Sequence, residues 1–207
     1  MRMLTNPEGR MVGVFLKYPA PGEVKTRLAE AIGDEKAAEC YRNLAELTLA
    51  RTMAPTLYRR ILYISPGERI PDFVRWLPDE TFQPQRGETL GLRIADAIAR
   101  LLSIGERAVI IGTDAPDISR EHVAEAFAAL DNSDLVLGPA HDGGYYLIGM
   151  KRSWPDLFEG IAWSTKDVLH ETLRRASQLG LSFHLLPALH DIDTIEDYRD
   201  WQRRMST

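Results

Sequence analysis

The sequence predicts an α/β fold, a mostly parallel central sheet with helices on both faces. Three observations carry that expectation. Short apolar runs, Met11–Leu16, Arg60–Ile64, Ala108–Ile111 and Asp134–Gly138, alternate with stretches of helical periodicity, which is the rhythm of βα units. Ala108–Val109–Ile110–Ile111 has no polar face, so it reads as a strand buried on both sides. After Gly143 the rhythm becomes less regular, and Tyr145–Met150 resumes extended structure after a double glycine, so the C-terminal third is expected to add an antiparallel strand.

Each element follows from local signals. A polar leader over residues 1–10 precedes one expected domain over 11–205, since no linker, repeat or low-complexity tract divides the chain. Met11–Leu16 is the first strand. From Thr26 the pattern turns helical, with two pieces separated by Gly33, the second capped by Asp34 and running through Met53. Arg60–Ile64 is the second strand, Pro71 opens a short helix through Leu77, and Thr81–Gln83 is a brief third strand. Leu92, Ala95, Ile98, Ala99 and Leu102 make a helical stripe. Pro116 is expected to stop the Ala108–Ile111 strand, and Asp117 and Ser119 to start a helix over Arg120–Leu130. Ser164 with Asp167 resembles a capping box for a helix to Gly180; Phe183–Leu186 is a late strand, and Thr194 with Asp197 caps the last helix.

Composition narrows the partners. A chain of 207 residues with formal charge −5 gives no reason to expect capture by nucleic acid or an anionic membrane. Cys40 is the single cysteine, which rules out a disulfide framework or a multi-thiolate metal site, and its helical setting predicts a buried, inert thiol. The N-terminal residues lack the apolar region of a signal peptide, and no run approaches the ~20 apolar residues of a membrane span. A cytoplasmic protein is expected.

Four segments could carry chemistry. Lys17–Arg27, KYPAPGEVKTR, lies between a strand and a helix start, where backbone N–H groups favour anions, and Lys17, Lys25 and Arg27 add positive charge. It is a phosphate site in chemical terms but no P-loop, because Pro19 and Val24 stand where that signature needs glycine. Asp114, at the end of the buried strand, is either a helix-entry residue or a ligand for a hard cation shared with substrate phosphates. Asp142, in His141–Asp142–Gly143–Gly144, is either an ordinary turn residue or a carboxylate beside a close backbone approach. Asp191 and Asp193 alternate, so both point to one side of an extended segment, and either could complete a metal site. The five histidines show no ligand spacing, the four tryptophans read as residues of the core or its margins, and no Gly-x-Ser-x-Gly elbow, His-Glu-x-x-His pair or Gly-x-Gly-x-x-Gly turn is present.

Taken in order, FLKYPAPGEVKTRLA, QRGETLGLRIADA, IIGTDAPDIS, LGPAHDGGYYLIGM, IAWSTKDVL and HDIDTIEDY resemble the bacterial DUF2064 proteins, the radical-SAM/selenodomain-associated transferase 1 group. These belong to the nucleotide-diphospho-sugar transferase superfamily. The resemblance implies a single-domain, Rossmann-like GT-A-type sandwich. It implies that Lys17, Lys25 and Arg27 contact nucleotide phosphates, that Asp114 and Asp193 hold Mg2+ or Mn2+, and that Gln85, Gly87 and Gly91 lie near base or sugar. Prolines replace most of the glycines that the first loop carries in related enzymes.

The expected activity is nucleotidyl transfer, with a small, phosphorylated acceptor attacking a nucleoside triphosphate and releasing pyrophosphate. Lys25 and Arg27 would offset charge on the leaving group, and Asp142 would serve as base if the acceptor is a hydroxyl. Two alternatives stand beside it: glycosyl transfer from a nucleotide-diphospho-sugar, and a catalytically silent nucleotide-binding module.

Overall fold

The computed structural model describes residues 9–205, so most of the polar leader, residues 1–8, lies outside the described residues. The sheet has seven strands: β1 (Arg10–Lys17), β2 (Arg59–Ser65), β3 (Phe82–Pro84), β4 (Arg107–Ile111), β5 (Leu135–Pro139), β6 (Tyr145–Met150) and β7 (Phe183–Leu185). Their order is β3-β2-β1-β4-β6-β5-β7. β6 alone runs antiparallel, hydrogen-bonded to β4 on one side and β5 on the other. The other pairs, β1 with β2 and β4, β2 with β3, and β5 with β7, are parallel. The antiparallel strand is therefore set inside the sheet, and the last strand is a parallel edge.

The helices are α1 (Thr26–Ile32), α2 (Asp34–Arg51), α3 (Ile70–Trp76), α4 (Leu90–Leu102), α5 (Arg120–Ala129), α6 (Val168–Gln178) and α7 (Ile195–Met205). Because successive side chains of a strand point to opposite faces, β4 divides its apolar run between two cores. Val109 and Ile111 join Tyr41 and Ala45 of α2, Phe73 of α3 and Phe127 of α5. Ala108 and Ile110 join Ile94, Ile98 and Leu101 of α4 and Ala176 of α6. A third cluster packs Ile195, Tyr198 and Trp201 of α7 against Leu28, Cys40, Leu44 and Ile192.

Several expected boundaries move. β1 begins at Arg10, inside the expected leader, and β3 and β5 each lie one residue further on than read from the sequence. Asp34 is the first residue inside α2, after Gly33, and does not cap it from outside; Met53 falls beyond the helix. β4 ends at Ile111, well before Pro116, so proline does not stop it; Gly112 still donates to the Tyr146 carbonyl at 3.0 Å. Ser119 does cap α5, reciprocally with His122. Asp117 instead pairs with Arg51 at 3.6 Å and Arg204 at 3.3 Å, tying α2 and α7 to this loop. The Ser164 capping box is absent: Ser164 takes a left-handed conformation, φ 64°, and α6 starts at Val168 with no side-chain cap. Thr194 and Asp197 do cap α7, the Asp197 carboxylate accepting from the Thr194 amide at 2.7 Å.

Candidate active site

In an open α/β sheet, ligands bind beyond the carboxyl ends of strands where the strand order reverses. Here the chain moves outward from β1 to β2 and β3, then returns to place β4 on the other side of β1. The loops after β1 and β4 therefore flank the switch point, and the segments after β5 and β7 leave the sheet at the same edge. Lys17–Arg27, Asp114, Asp142 and Asp191–Asp193 stand on those four segments.

The first loop has a fixed path despite lacking regular structure. Tyr18 packs edge-on against Phe73, ring centroids 5.5 Å apart, with the Arg69 guanidinium 4.8 Å from its ring centre. Ala20 and Val24 are buried, and Glu23 donates from its amide to the Ala20 carbonyl. Behind the loop, the Tyr41 hydroxyl accepts from the Lys17 amide at 2.8 Å and lies 3.2 Å from Thr113 Oγ1, linking the ends of β1 and β4. Burial and the nearby Asp114 carboxylate push the Tyr41 phenol up to about 12, so it stays neutral.

Lys25 precedes α1 in a left-handed conformation, φ 48° and ψ 44°, uncommon for a residue with a Cβ. Its side chain is only 3% exposed and its ammonium bridges two carboxylates, Asp114 and Asp193, the latter at 2.9 Å. Burial alone would lower the Lys25 pKa; the two carboxylates outweigh burial and hold it well above the ordinary value. Asp114 and Asp193 keep side chains 53% and 40% exposed, so each still faces solvent. Lys17 and Arg27 are exposed. Because α1 has only seven residues, its dipole adds little, and the side chains supply most of the positive charge.

Asp193 reaches this place through its neighbour. The Ile192 side chain is fully buried between α1 and α2, and its amide donates to the Asp114 carbonyl at 2.9 Å. Alternation then turns Asp191 and Asp193 away from that core. Asp191 is raised to about 6, first by burial and next by the negative charge of Asp142, with Asp193 adding to it. The loop aspartates thus lie close enough to sense one another. Asp142 itself forms a turn, its Oδ1 accepting from the Gly144 amide at 2.7 Å.

Two features were not legible in the sequence. His141 and His190 stack face to face, ring centroids 3.8 Å apart, because Ala140 and Leu189 pair as a bridge between distant segments. Gly91 is buried under Trp163: a Cβ there would lie 2.4 Å from the indole Cζ2, so close packing of α4 accounts for this glycine. Gly87 has φ 128° and its carbonyl accepts from Arg93 at 2.9 Å; the Gln85 side-chain amide donates to the Tyr63 carbonyl at 2.9 Å. Gln85 and Gly87 follow the carboxyl end of β3 and are engaged in holding β2 and α4, whereas Gly91 lies inside the first turn of α4. Cys40 is buried, and burial pushes its thiol up, as an inert core cysteine requires.

The carboxylate pair fits a divalent cation. The two side chains already converge on one positive group, and magnesium-like ions are commonly held by one or two carboxylates with the remaining positions filled by water and substrate phosphates. Among the described residues no group of three or more His, Cys, Asp or Glu side chains is arranged to hold a metal, so water and a phosphate ligand would fill the positions that the two carboxylates leave open.

The family profile described as "Uncharacterized protein conserved in bacteria (DUF2064)" matches residues 48–165. The chain belongs to the DUF2064 family. That match includes Asp114 and Asp142. A candidate nucleotide-diphospho-sugar transferase from Desulfovibrio desulfuricans G20 is 37% identical over 95% of this chain and 87% of its own, with a TM-score of 0.89. More distant structures share the fold. CMP:2-keto-3-deoxy-manno-octonic acid synthetase complexed with CTP is 10% identical, covers 95% of this chain and 98% of its own, and has a TM-score of 0.60. Rv0371C of Mycobacterium tuberculosis H37Rv, in complex with manganese, is 14% identical over 92% and 96% of the two chains, with a TM-score of 0.55. Among curated proteins no significant relative is found. The GT-A-type fold of this DUF2064 member is thus that of nucleotide-using transferases. No helix among the described residues is long and apolar enough to cross a membrane.

Proposed function

We propose that this DUF2064 protein is a divalent-metal-dependent nucleotidyltransferase, moving a nucleotidyl group from a nucleoside triphosphate to a small phosphorylated acceptor with release of pyrophosphate. The single observation that carries this is the meeting of Lys25, Asp114 and Asp193 at the switch point of the sheet. The manganese and CTP bound by two fold relatives are consistent with it.

Asp114 and Asp193 would hold the divalent cation, which would supply positive charge to offset the negative charge on the donor phosphates. Lys17 and Arg27 attract and orient the polyphosphate from the solvent side, and Lys25 stabilises negative charge as the pyrophosphate leaves. Tyr41, neutral, fixes the spacing of the β1 and β4 loops. A phosphate acceptor attacks through its own oxygen and needs no base; with a hydroxyl acceptor, Asp142 takes the proton. Gln85 and Gly87 form the side of the site towards the nucleoside, whereas Gly91 is buried under Trp163 and serves packing.

A second reading, glycosyl transfer from a nucleotide-diphospho-sugar, is favoured by the description of the 37%-identical relative. A thermal-shift panel of nucleoside triphosphates and nucleotide sugars, each with Mg2+ or Mn2+, followed by assays for pyrophosphate and nucleoside diphosphate, separates the two. Stabilisation by triphosphates with pyrophosphate release is expected. Stabilisation by sugar nucleotides alone with diphosphate release would replace the first reading with the second, and binding without turnover across a broad acceptor set would favour a silent module.

A further inference from the structure

The carboxylate pair assigned to the cation is already half neutralised from within. Lys25 reaches it from a side chain 3% exposed and contacts both acids. Two carboxylates brought together at a protein surface repel unless a positive charge lies between them, and Lys25 supplies that charge in the unliganded chain. An ammonium and a divalent cation cannot share the space between the same oxygens. Lys25 contacts Oδ1 of each acid, so a cation that comes between those oxygens displaces it, and a buried ammonium without an anionic partner is strongly unfavourable. A triphosphate arriving with the cation would give Lys25 a new partner.

We infer that Lys25 is an internal counter-ion competing with the divalent cation for Asp114 and Asp193, so that the site takes up cation and polyphosphate together and binds free cation poorly. This rests on the nucleotidyl-transfer reading, which requires a cation on these carboxylates. It goes beyond that reading by assigning the order of occupancy to one lysine. Reciprocity follows: a polyphosphate strengthens cation binding by the same factor that the cation strengthens polyphosphate binding. The exposed Lys17 and Arg27 can meet phosphates without giving up a carboxylate partner of this kind, which separates their role from that of Lys25.

The test is Mn2+ binding to the full chain, measured by electron paramagnetic resonance after equilibrium dialysis, with Mn2+ alone and with Mn2+ plus inorganic tripolyphosphate. Lys25→Gln removes the charge while keeping a polar side chain; Lys25→Met serves as the second variant, with thermal melts reporting folding. Either variant is expected to bind Mn2+ alone about tenfold more tightly than wild type. The gain should vanish when Asp114→Asn is added. Wild type is expected to retain Mn2+ well only with tripolyphosphate. Unchanged or weaker Mn2+ binding in folded Lys25→Gln, with wild type still binding Mn2+–tripolyphosphate, overturns the counter-ion role and leaves the metal-dependent reading standing. No Mn2+ on any of these chains, with or without tripolyphosphate, overturns both.

Discussion

The amide of Ile192 donates to the carbonyl of Asp114 at 2.9 Å, and this bond joins two segments that are far apart in the chain. It places Asp193 opposite Asp114, and the Ile192 side chain, fully buried, locks the segment against α1 and α2. Ile192→Ala therefore acts at a distance from the chemistry. It should cost about 2–4 kcal/mol of stability in urea unfolding, as large-to-small core changes do. It should also weaken metal-dependent nucleotide binding in the fraction that remains folded.

The two neighbouring aspartates are expected to differ. Asp193→Asn should lower metal-dependent nucleotide affinity by about tenfold or more, because it removes one of two carboxylates on the cation. Asp191→Asn should leave most of that affinity. Calorimetry with an Mg2+–nucleotide complex distinguishes them, and equal losses would mean that the pair rather than Asp193 holds the cation.

Asp191 also gives a pH dependence. Its folded pKa is raised, to about 6, chiefly by burial and Asp142. A carboxyl raised on folding favours the native state below its unfolded pKa near 4, and that contribution is lost as pH rises through about 6. Because Asp191 is partly exposed, the effect is of order 1 kcal/mol after screening. Urea unfolding of wild type and Asp191→Asn between about pH 4 and pH 7 should show the variant gaining relative stability as pH increases. A parallel pair of curves would contradict the shift.

The alternation of strands and helices was legible because extended and helical patterns are written in apolar positions such as Val109, Ile110 and Ile98. The face of α4 was not: of the stripe Leu92, Ala95, Ile98, Ala99 and Leu102 only Ile98 is buried, whereas Ile94, Ala97 and Leu101 face the core and Leu92 is exposed. The cap of α7 was legible too, since Thr194 and Asp197 satisfy each other within one turn. The expected capping box at Ser164 and the expected stop at Pro116 both fail: Ser164 takes a left-handed conformation away from the helix start, and β4 ends at Ile111 before Pro116 is reached. Near Ser164, Gly143 comes close to the Lys166 backbone, an approach that no neighbouring residue in the sequence announces. The site residues were legible as charges on loops, and what the sequence could not supply was their pairing. Nothing about Lys25 as a letter says that it lies between Asp114 and Asp193, or that His141 stacks on His190.

Glycine positions report that packing. Gly143, φ 91°, would place a Cβ 2.0 Å from the Lys166 carbonyl oxygen, whereas Gly91 would meet the Trp163 ring at 2.4 Å. Gly143→Ala should therefore be the worse of the two, costing about 3 kcal/mol or more, since backbone cannot move aside as a ring can. Gly91→Ala should cost about 1–3 kcal/mol and be partly rescued by Trp163→Phe. Thermal unfolding of the three variants checks the ranking and the rescue.

Tyr41→Phe removes a hydroxyl shared by the Lys17 amide and Thr113. With Thr113 buried and the Lys17 amide part-buried, it should lose about 1–2 kcal/mol in chemical denaturation. Nucleotide affinity should fall with it, because the β1 and β4 loops lose their common anchor.

Asp114 is the residue on which the metal-dependent nucleotide site stands or falls. The most direct measurement is the thermal shift produced by nucleoside triphosphates with and without Mg2+ or Mn2+ in wild type and Asp114→Asn. Wild type should be stabilised by nucleotide only when the cation is present, and Asp114→Asn should show no cation-dependent gain. An Asp114→Asn protein that keeps the wild-type dependence on Mg2+ or Mn2+ would contradict the site.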